Sequence, residues 1–238
     1  ENEVIEMLQR IQKQPAFTDD PEHDFNTKQN ALVAVNAEKY YRAMIRGGAS
    51  SWNVRDGHMM ETLDRLLDLH GPDSKAIVWE HNTHIGDARF TDMADDGMYN
   101  IGQLAREKYG SEQVKLVGFG SYQGTVIAGQ RWGAPMQKME VPPAVDGSWE
   151  SMLHEISTDD KIILSKDLRE VPELQKRIGH RAIGVVYDPK FEQFGNYVPT
   201  VIPDRYDAFI YFDETEAVHP LRMKARGAKE PDLYPWNY

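Results

Sequence analysis

The first third of the chain carries apolar side chains at the three- and four-residue spacing of amphipathic helices. This pattern predicts three helices, over residues 1–14, 26–46 and 51–70. Ser50 or Ser51 is expected to cap the third helix, and Gly71-Pro72 is expected to end it. Residues 1–72 are therefore predicted to form a helical section.

Beyond residue 72, short apolar runs alternate with helical patterns. Buried strands are predicted over residues 76–81, 114–122, 124–129, 161–167, 181–188 and 206–213, and helices over 98–109, 148–157 and 172–177. Such alternation is typical of an α/β fold with a layered, mixed or mostly parallel sheet and flanking helices. Residues 73–238 are predicted to be this sheet portion. Together with the helical section it is expected to form one compact unit that belongs to a larger fold.

Composition narrows the class of partner. The chain has 238 residues and a net charge of −11, which disfavours binding to nucleic acid. No apolar run is long enough to span a bilayer, and no cleavable signal segment is visible. The chain contains no cysteine, which removes disulfides and thiolate ligands and fits a reducing compartment. We therefore expect a cytoplasmic protein with a small-molecule partner and no membrane partner.

The predicted strand at residue 76 ends in an unusually polar stretch. Glu80, His81, Asn82, His84 and Asp87 follow within a few residues. Ligands in α/β sheets bind at the carboxyl ends of strands, where a histidine can act as acid or base near neutral pH. Two imidazoles with Asp87 or Glu80 would also suit a divalent metal. The structural alternative is that these side chains cap backbone groups.

A second polar group lies in the helix predicted over 51–70. Arg55, Asp56, His58 and Glu61 fall in its first turns, beside a face of methionine and leucine. A guanidinium next to apolar neighbours needs an anionic or carbonyl partner. Arg55 is therefore expected either to pair with a carboxylate of the fold or to stabilise a substrate oxyanion.

The glycine-rich stretch at residues 118–124 matches neither of two common site motifs. Its spacing does not fit the Gly-x-Ser-x-Gly elbow of serine hydrolases. The strand-like "TVIAG" follows where a dinucleotide-binding fold would begin a helix. We interpret it as a strand connection.

The two polar groups together resemble the erythromycin esterase family. "NVRDGHMMETL" is followed in order by "IVWEHNTHIGDA", and the similarity continues to about residue 221. The resemblance implies an α/β fold with a helical subdomain, and hydrolysis of an ester or lactone by a histidine-activated water without a serine nucleophile. The family's best-known substrates are macrolide lactones, which would link the protein to antibiotic resistance.

The resemblance also implies roles for individual residues. Arg55 matches the cleft arginine of the Asn-x-Arg-Asp helix, and His81 and His84 match the His-Asn-x-His histidines that support substrate and reaction centre. All three are predicted to be catalytic, although in the family the histidine assigned as general base belongs to a separate N-terminal segment. Substrate-binding roles are predicted for Asn53, Glu80, Asn82 and Asp87. No cofactor is implied, although a divalent metal stays an open alternative.

The sequence lacks the N-terminal Gly-Glu-x-x-His-Gly segment of that family. We therefore expect the chain to be an incomplete part of the enzyme, complemented by a missing N-terminal segment or a second chain. Two alternatives follow: a metal-dependent hydrolase that uses the His-Asn-x-His cluster, or a non-catalytic binding or structural homologue. The last alternative predicts an exposed apolar face at which the missing part docks.

Overall fold

A computed structural model of the protein describes residues 2–15 and 18–220. The chain divides into two compact units, residues 1–116 and 117–238, each of which is described here by itself. The final residues of the predicted sheet portion, 221–238, lie outside the described residues. The predicted sections 1–72 and 73–238 stay a prediction. In the part of the chain that the structure describes, no helix is both long and apolar enough to cross a membrane.

The first unit begins with the three predicted helices. They are α1 (Asn2–Lys13), α2 (Pro21–Arg46) and α3 (Ala49–His70). The α2 helix starts earlier than predicted because the Asp20 carboxylate accepts hydrogen bonds from the backbone N–H groups of Glu22 and His23. The predicted serine cap of α3 is wrong, because the helix already includes Ser50 and Ser51.

The predicted buried strand over residues 76–81 is also wrong. This segment has no regular secondary structure, and no described residue pairs with it as a neighbouring strand. Ile77 is 95% exposed and Trp79 is 83% exposed. An apolar run becomes a strand only where another strand satisfies its backbone hydrogen bonds, and the described part of the first unit offers none.

Two further helices complete the first unit, α4 (Asn82–Ile85) and α5 (Ile101–Tyr109). Asn100 caps α5 by accepting a hydrogen bond from the Gln103 N–H at 3.0 Å. Its side-chain amide also donates to the Thr83 carbonyl at 2.8 Å and to the carbonyl of Gly86. One asparagine therefore fixes the start of α5 against α4.

The second unit contains a mixed sheet, which confirms the predicted α/β class. Its four strands are ordered β2 (Gln137–Val141), β1 (Val117–Ala128), β6 (Ala208–Thr215) and β3 (Lys161–Leu164). Strands β1 and β6 are parallel, while the outer pairs are antiparallel. A second sheet pairs β4 (Ile178–Arg181) with β5 (Tyr197–Thr200). The elements of this unit, in chain order, are β1 (Val117–Ala128), β2 (Gln137–Val141), α6 (Trp149–Ile156), β3 (Lys161–Leu164), α7 (Ser165–Leu168), β4 (Ile178–Arg181), α8 (Glu192–Gly195), β5 (Tyr197–Thr200), α9 (Ile202–Arg205) and β6 (Ala208–Thr215).

Several strand predictions differ from these elements. The strand predicted over 161–167 ends at Leu164, and the helix α7 begins at Ser165. The strands predicted over 114–122 and 124–129 form one continuous strand, β1, because Gly124 adopts a φ of 132° and the chain continues in extended form through it. Residues 182–188, predicted as part of a strand, lie mostly outside regular structure; one bridge joins Val186 to Gly129.

Buried charges hold the second unit together. The Glu150 carboxylate, fully buried, accepts from His180 Nδ1 at 2.6 Å and from the Arg181 N–H at 3.1 Å. The Arg181 guanidinium donates to Glu192 at 2.6 Å and to the carbonyl of Ser121 at 2.8 Å. Because ion pairs buried this deeply reach no solvent, we assign them to stability.

Gly102 is predicted to be indispensable for the contact between α4 and α5. A Cβ at this position would lie 2.1 Å from the Ile85 carbonyl oxygen, which is backbone and cannot turn away. We expect Gly102→Ala to lower the free energy of unfolding by about 1–3 kcal/mol, measured by urea denaturation. The matched control is Gly57→Ala in α3, where the Cβ would meet the Tyr99 hydroxyl at an ordinary 3.5 Å. Equal stability of the two variants would contradict the close approach.

Candidate active site

The site is organised around the carboxylate of Asp56, which lies on α3 and is fully buried. Its two oxygens lie 3.0 and 2.9 Å from Nδ1 of His84 on α4. One of them also accepts the backbone N–H of Ile101, the first residue of α5, at 3.2 Å. A single buried carboxylate therefore joins α3 to the end of α4 and to the start of α5, and it fixes the orientation of the His84 ring.

Arg55 approaches the other nitrogen of the same ring. Its Nη2 lies 3.2 Å from His84 Nε2. A guanidinium can only donate, so Nε2 must be the acceptor in this hydrogen bond, and Nδ1 carries the proton that Asp56 accepts. The geometry thus assigns one tautomer to His84, with its lone pair on Nε2.

Trp52 supports both residues. Its ring stacks on the His84 ring at a centroid distance of 4.5 Å and an angle of 3°. The Arg55 guanidinium carbon lies 4.7 Å from the centre of the indole, within the range of a cation–π contact. The indole N–H donates to the Tyr99 carbonyl at 2.7 Å, which fixes the ring plane. Arg55 remains 41% exposed, so its other donors can reach a ligand.

Glu80 brings a second carboxyl group near this cluster. Burial raises the pKa of Glu80 above its ordinary value of 4.5, and the negative charge of Asp56 raises it further, while His84 and Arg55 act in the opposite direction. Its Oε2 atom is buried and has no hydrogen-bond partner among the described residues. The structure thus brings three predicted site residues together: Arg55, His84 and Glu80.

His81 and Asn82 lie at the start of α4. The Nδ1 atom of His81 accepts the Thr83 N–H at 3.3 Å and lies 2.9 Å from the Thr83 hydroxyl, so this side chain caps α4. The ring is otherwise exposed, and Asn82 is half-buried. His81 therefore has the capping role that was the structural alternative; its predicted catalytic role and the substrate-binding role of Asn82 stay predictions.

The remaining predicted residues are engaged with the protein itself. The Asn53 amide donates to the Gly97 carbonyl at 2.9 Å and accepts the Tyr99 N–H at 3.1 Å, which holds the loop before α5. Asp87 is fully buried and pairs with Arg89 at 2.7 Å and Arg106 at 3.2 Å. Their predicted roles in substrate binding stay predictions.

The described residues contain no group of three His, Asp or Glu side chains arranged to hold a metal ion. Asp87, the proposed third ligand beside the two histidines, lies instead against two arginines. A metal-dependent hydrolase would therefore need a set of ligands other than the two histidines with Asp87.

Asp56 and Trp52 are the two residues of the site to which the sequence analysis assigned no role. Trp52 lies three residues before Arg55, at helical spacing, and Asp56 follows Arg55 directly. An acidic residue at a position that the helix buries is the signal that could have identified Asp56, since buried carboxylates need a partner.

The tautomer of His84 is predicted to depend on Asp56. Asp56→Asn replaces a carboxylate by an amide that must place two N–H donors in a buried position, so we expect a loss of about 1–3 kcal/mol in the free energy of unfolding. We also expect the Nδ1–H form to lose its dominance, which long-range proton–nitrogen NMR of the His84 ring reports. Asp68→Asn, an exposed change on the same helix, is the control. An unchanged tautomer would contradict the assignment.

The raised pKa of Glu80 predicts a pH dependence of stability. The folded chain binds the Glu80 proton more tightly than the unfolded chain, because the pKa of Glu80 is raised on folding. The contribution of this proton to stability is therefore full below pH 4.5. It is lost as the pH rises through the folded-state pKa. The side chain in the Glu80→Gln variant does not titrate, so the stability of this variant does not fall with pH in the same way. The free energy of unfolding of the variant minus that of the parent, measured by urea titration, should therefore rise with pH over that window. A constant difference would contradict the shift.

Comparison with known proteins places this geometry in a family. The family model described as erythromycin esterase matches residues 1–215. One similar solved structure is a protein from Bacillus cereus, with 16% identity, a TM-score of 0.67 and coverage of 81% of this chain and 46% of that one. Another is a succinoglycan biosynthesis protein, with 16% identity, a TM-score of 0.69 and coverage of 89% and 48%.

A third similar structure is a histidine-to-asparagine variant of the erythromycin esterase EreC in its open conformation. It is 14% identical, with a TM-score of 0.61 and coverage of 90% of this chain and 51% of that one. At such identities the likeness shows the fold alone. The chain spans about half the length of these three structures. Because the family model covers almost the whole chain, the protein belongs to the erythromycin esterase family.

Proposed function

We propose that this chain provides the reaction centre of a hydrolase that cleaves a carboxylic ester or lactone by direct attack of water. One observation carries the proposal: the His84 imidazole is oriented by a buried carboxylate through Nδ1 and presents its Nε2 lone pair beside Arg55. A histidine held in this way is suited to general-base chemistry, because the carboxylate stabilises the imidazolium that forms. Family membership supports the same reaction class.

Each residue of the cluster has a separate part in the reaction. Arg55 turns its Nη2–H from His84 to the carbonyl oxygen of the substrate and stabilises the oxyanion. This movement leaves His84 Nε2 open to a water molecule, whose proton it accepts as the water oxygen bonds to the carbonyl carbon. Asp56 holds the ring through His84 Nδ1. The partial exposure of Arg55 supports such a movement.

The remaining predicted site residues are proposed to act around this centre. His81 and Asn82 at the start of α4 are proposed to contact the substrate from the exposed side, and Asn53 to hold the loop that borders Trp52. Asp87 would then act at a distance, by keeping Arg89 and Arg106 in place. A macrolide lactone is one candidate substrate, since the family is named for such an esterase. Resistance to an antibiotic of that class and a cytoplasmic location belong to the same proposal.

A second candidate is a non-catalytic binding or structural role that needs another chain or segment. The exposed side chains of Ile77 and Trp79 favour it, because they form the apolar surface that this alternative predicts. It differs from the first candidate in expecting no turnover of any ester by this chain.

The test is hydrolysis of a panel of p-nitrophenyl esters, a small lactone and a macrolide lactone. We expect His84→Asn to lower kcat/KM by about 10²–10⁴-fold, as loss of a general base does, and Arg55→Ala by about 10²–10³-fold. His70→Asn, at the exposed end of α3, is the matched control and should leave the rate unchanged.

Three results would contradict the proposal. Turnover that survives His84→Asn removes the proposed base. Turnover that EDTA abolishes and Zn²⁺ or Mn²⁺ restores favours the metal-dependent alternative. The absence of turnover with every ester, both by this chain alone and when an N-terminal segment of the family is supplied, favours the binding role.

A further inference from the structure

We infer that the second unit carries a ligand site of its own, in which Nε2 of His154 accepts a hydrogen bond from an O–H or N–H donor of a neutral or cationic small molecule. The site goes beyond the proposed function, because it is built from α6, β1 and β6 and uses no residue of the reaction centre. None of the catalytic or substrate-binding roles predicted from the sequence falls on His154.

A carboxylate and an aromatic ring hold the imidazole of His154 in place. Its Nδ1 atom lies 2.7 Å from Oδ1 of Asp213 on β6. The ring of Tyr122 on β1 stacks on the imidazole with a centroid distance of 3.7 Å and an angle of 7°. The carboxylate fixes one edge of the imidazole and the stack fixes its plane. A ligand therefore meets a side chain that is already oriented, so that little rotational freedom is lost on binding.

The remaining nitrogen of the ring is the one that a ligand can reach. A carboxylate only accepts hydrogen bonds, so in neutral His154 the proton lies on Nδ1 and the lone pair on Nε2. The side chain of His154 is 30% exposed. No described residue makes a hydrogen bond to its Nε2 atom. In contrast, Nε2 of His84 already contacts Arg55. His154 thus presents an oriented acceptor at the surface.

The Asp213 carboxylate is held in its charged form. The Tyr211 hydroxyl donates to the same oxygen, Oδ1, at 2.6 Å. Burial acts to raise the pKa of Asp213, but the hydrogen bonds from Tyr211 and His154 outweigh it and lower the pKa below its ordinary value. The carboxylate is therefore available as the acceptor for the Nδ1 proton of His154, which keeps the lone pair on the exposed side of the ring.

The position in the sheet is typical of a ligand site. Strands β1 and β6 are parallel, and their pairing ends at Gly124 and Thr215. Tyr122 and Asp213 lie side by side just before this end. Helix α6 contacts both strands and carries His154 in its last turn. The three side chains thus meet near the carboxyl end of a parallel pair, where ligands commonly bind in α/β sheets.

The glycine-rich stretch of β1 contributes to this arrangement. Successive residues of a strand point to opposite faces, so Gly118, Gly120 and Tyr122 share one face of β1. A Cβ at Gly120 would lie 2.5 Å from the ring of Phe209, which means that the glycine lets this ring pack closely on the strand. Tyr122 is the residue of the three that carries a side chain, and this side chain supports His154.

The charges around His154 indicate the class of ligand. Asp160 accepts the backbone N–H of Asp213 at 3.0 Å, and Glu155 follows His154 directly. Lys161, the cation of this region, donates to the carbonyl oxygen of Asp159 at 2.7 Å. An anion would be repelled by these acidic groups. A hydroxyl group of a polyol or sugar, or a protonated amine, has the donor that Nε2 needs without that repulsion.

Long-range proton–nitrogen NMR of the full chain tests the site by titration at constant neutral pH and ionic strength. The three probes are methyl glucoside, ethylammonium chloride and inorganic phosphate. We expect the Nε2 resonance of His154 to shift with the glucoside, with the ammonium ion or with both, because each supplies a donor. The first two probes distinguish a hydroxyl ligand from an amine. Phosphate should leave the resonance unchanged.

A matched pair of variants shows whether the acceptor itself is used. His154→Phe keeps a ring that can stack on Tyr122 but removes Nε2. We expect it to weaken binding of the active probe about 3–10-fold, the usual worth of one hydrogen bond, as followed by the backbone amide shift of Tyr122. His219→Phe makes the same change at an exposed histidine of this unit and should leave the affinity unchanged. Thermal unfolding checks that both variants retain the fold.

Three results would overturn the inference. The first is a His154 Nε2 resonance that moves with neither the glucoside nor the ammonium ion. The second is a shift with phosphate, which would show an anion site instead. The third is equal affinity of His154→Phe and the parent chain for the probe. None of these measurements depends on hydrolysis of an ester, so failure of the site and failure of the proposed function are distinguishable.

Discussion

The buried carboxylate of Asp56 is the interaction on which the rest of the first unit depends. A charge with no exposed surface is tolerated only where hydrogen bonds replace the lost water. The Asp56 carboxylate obtains them from the His84 ring and from the first backbone N–H of α5. Since the three groups belong to α3, α4 and α5, removing the carboxylate would release the orientation of the histidine and the junction of the helices together. Stability and site geometry are therefore two effects of one contact.

The contact between Asp56 and His84 also explains how most of the site is held rigid while one of its groups, Arg55, is free to move. Asp56 fixes the ring of His84 from one side, and Trp52 fixes its plane by stacking. Arg55 contacts the indole face, makes one hydrogen bond of 3.2 Å to His84 and lies 4.0 Å from the Asp56 carboxylate, and much of its side chain is exposed. Such contacts cost little to break in comparison with a buried ion pair. We therefore expect Arg55 to be the mobile member of an otherwise rigid group.

The helices α1, α2, α3 and α5 could be predicted because local spacing determines them, and the end of α3 at Gly71 is local too. The short helix α4 was not predicted. That Arg55, His84 and Glu80 lie close together was predictable only because the two motifs that contain them occur in the order found in the family. The contact between His84 and Asp56 was not predictable, since a contact between residues 28 positions apart depends on packing. The segment at Ile77 was predicted incorrectly for the same reason. Its composition favours a strand, but strand formation requires a neighbour.

A single-turnover reaction with the chain in excess over an ester that it cleaves, quenched at successive times and analysed by mass spectrometry, tests direct water attack at this centre most directly. We expect the alcohol and the carboxylic acid to appear together at one rate, with no acyl group on the protein at any time. Alcohol released before the acid, together with an acyl adduct on a side chain that forms and decays at the rate of turnover, would instead show that a residue attacks the ester. That result would contradict the assignment of His84 as the base that activates water for direct attack.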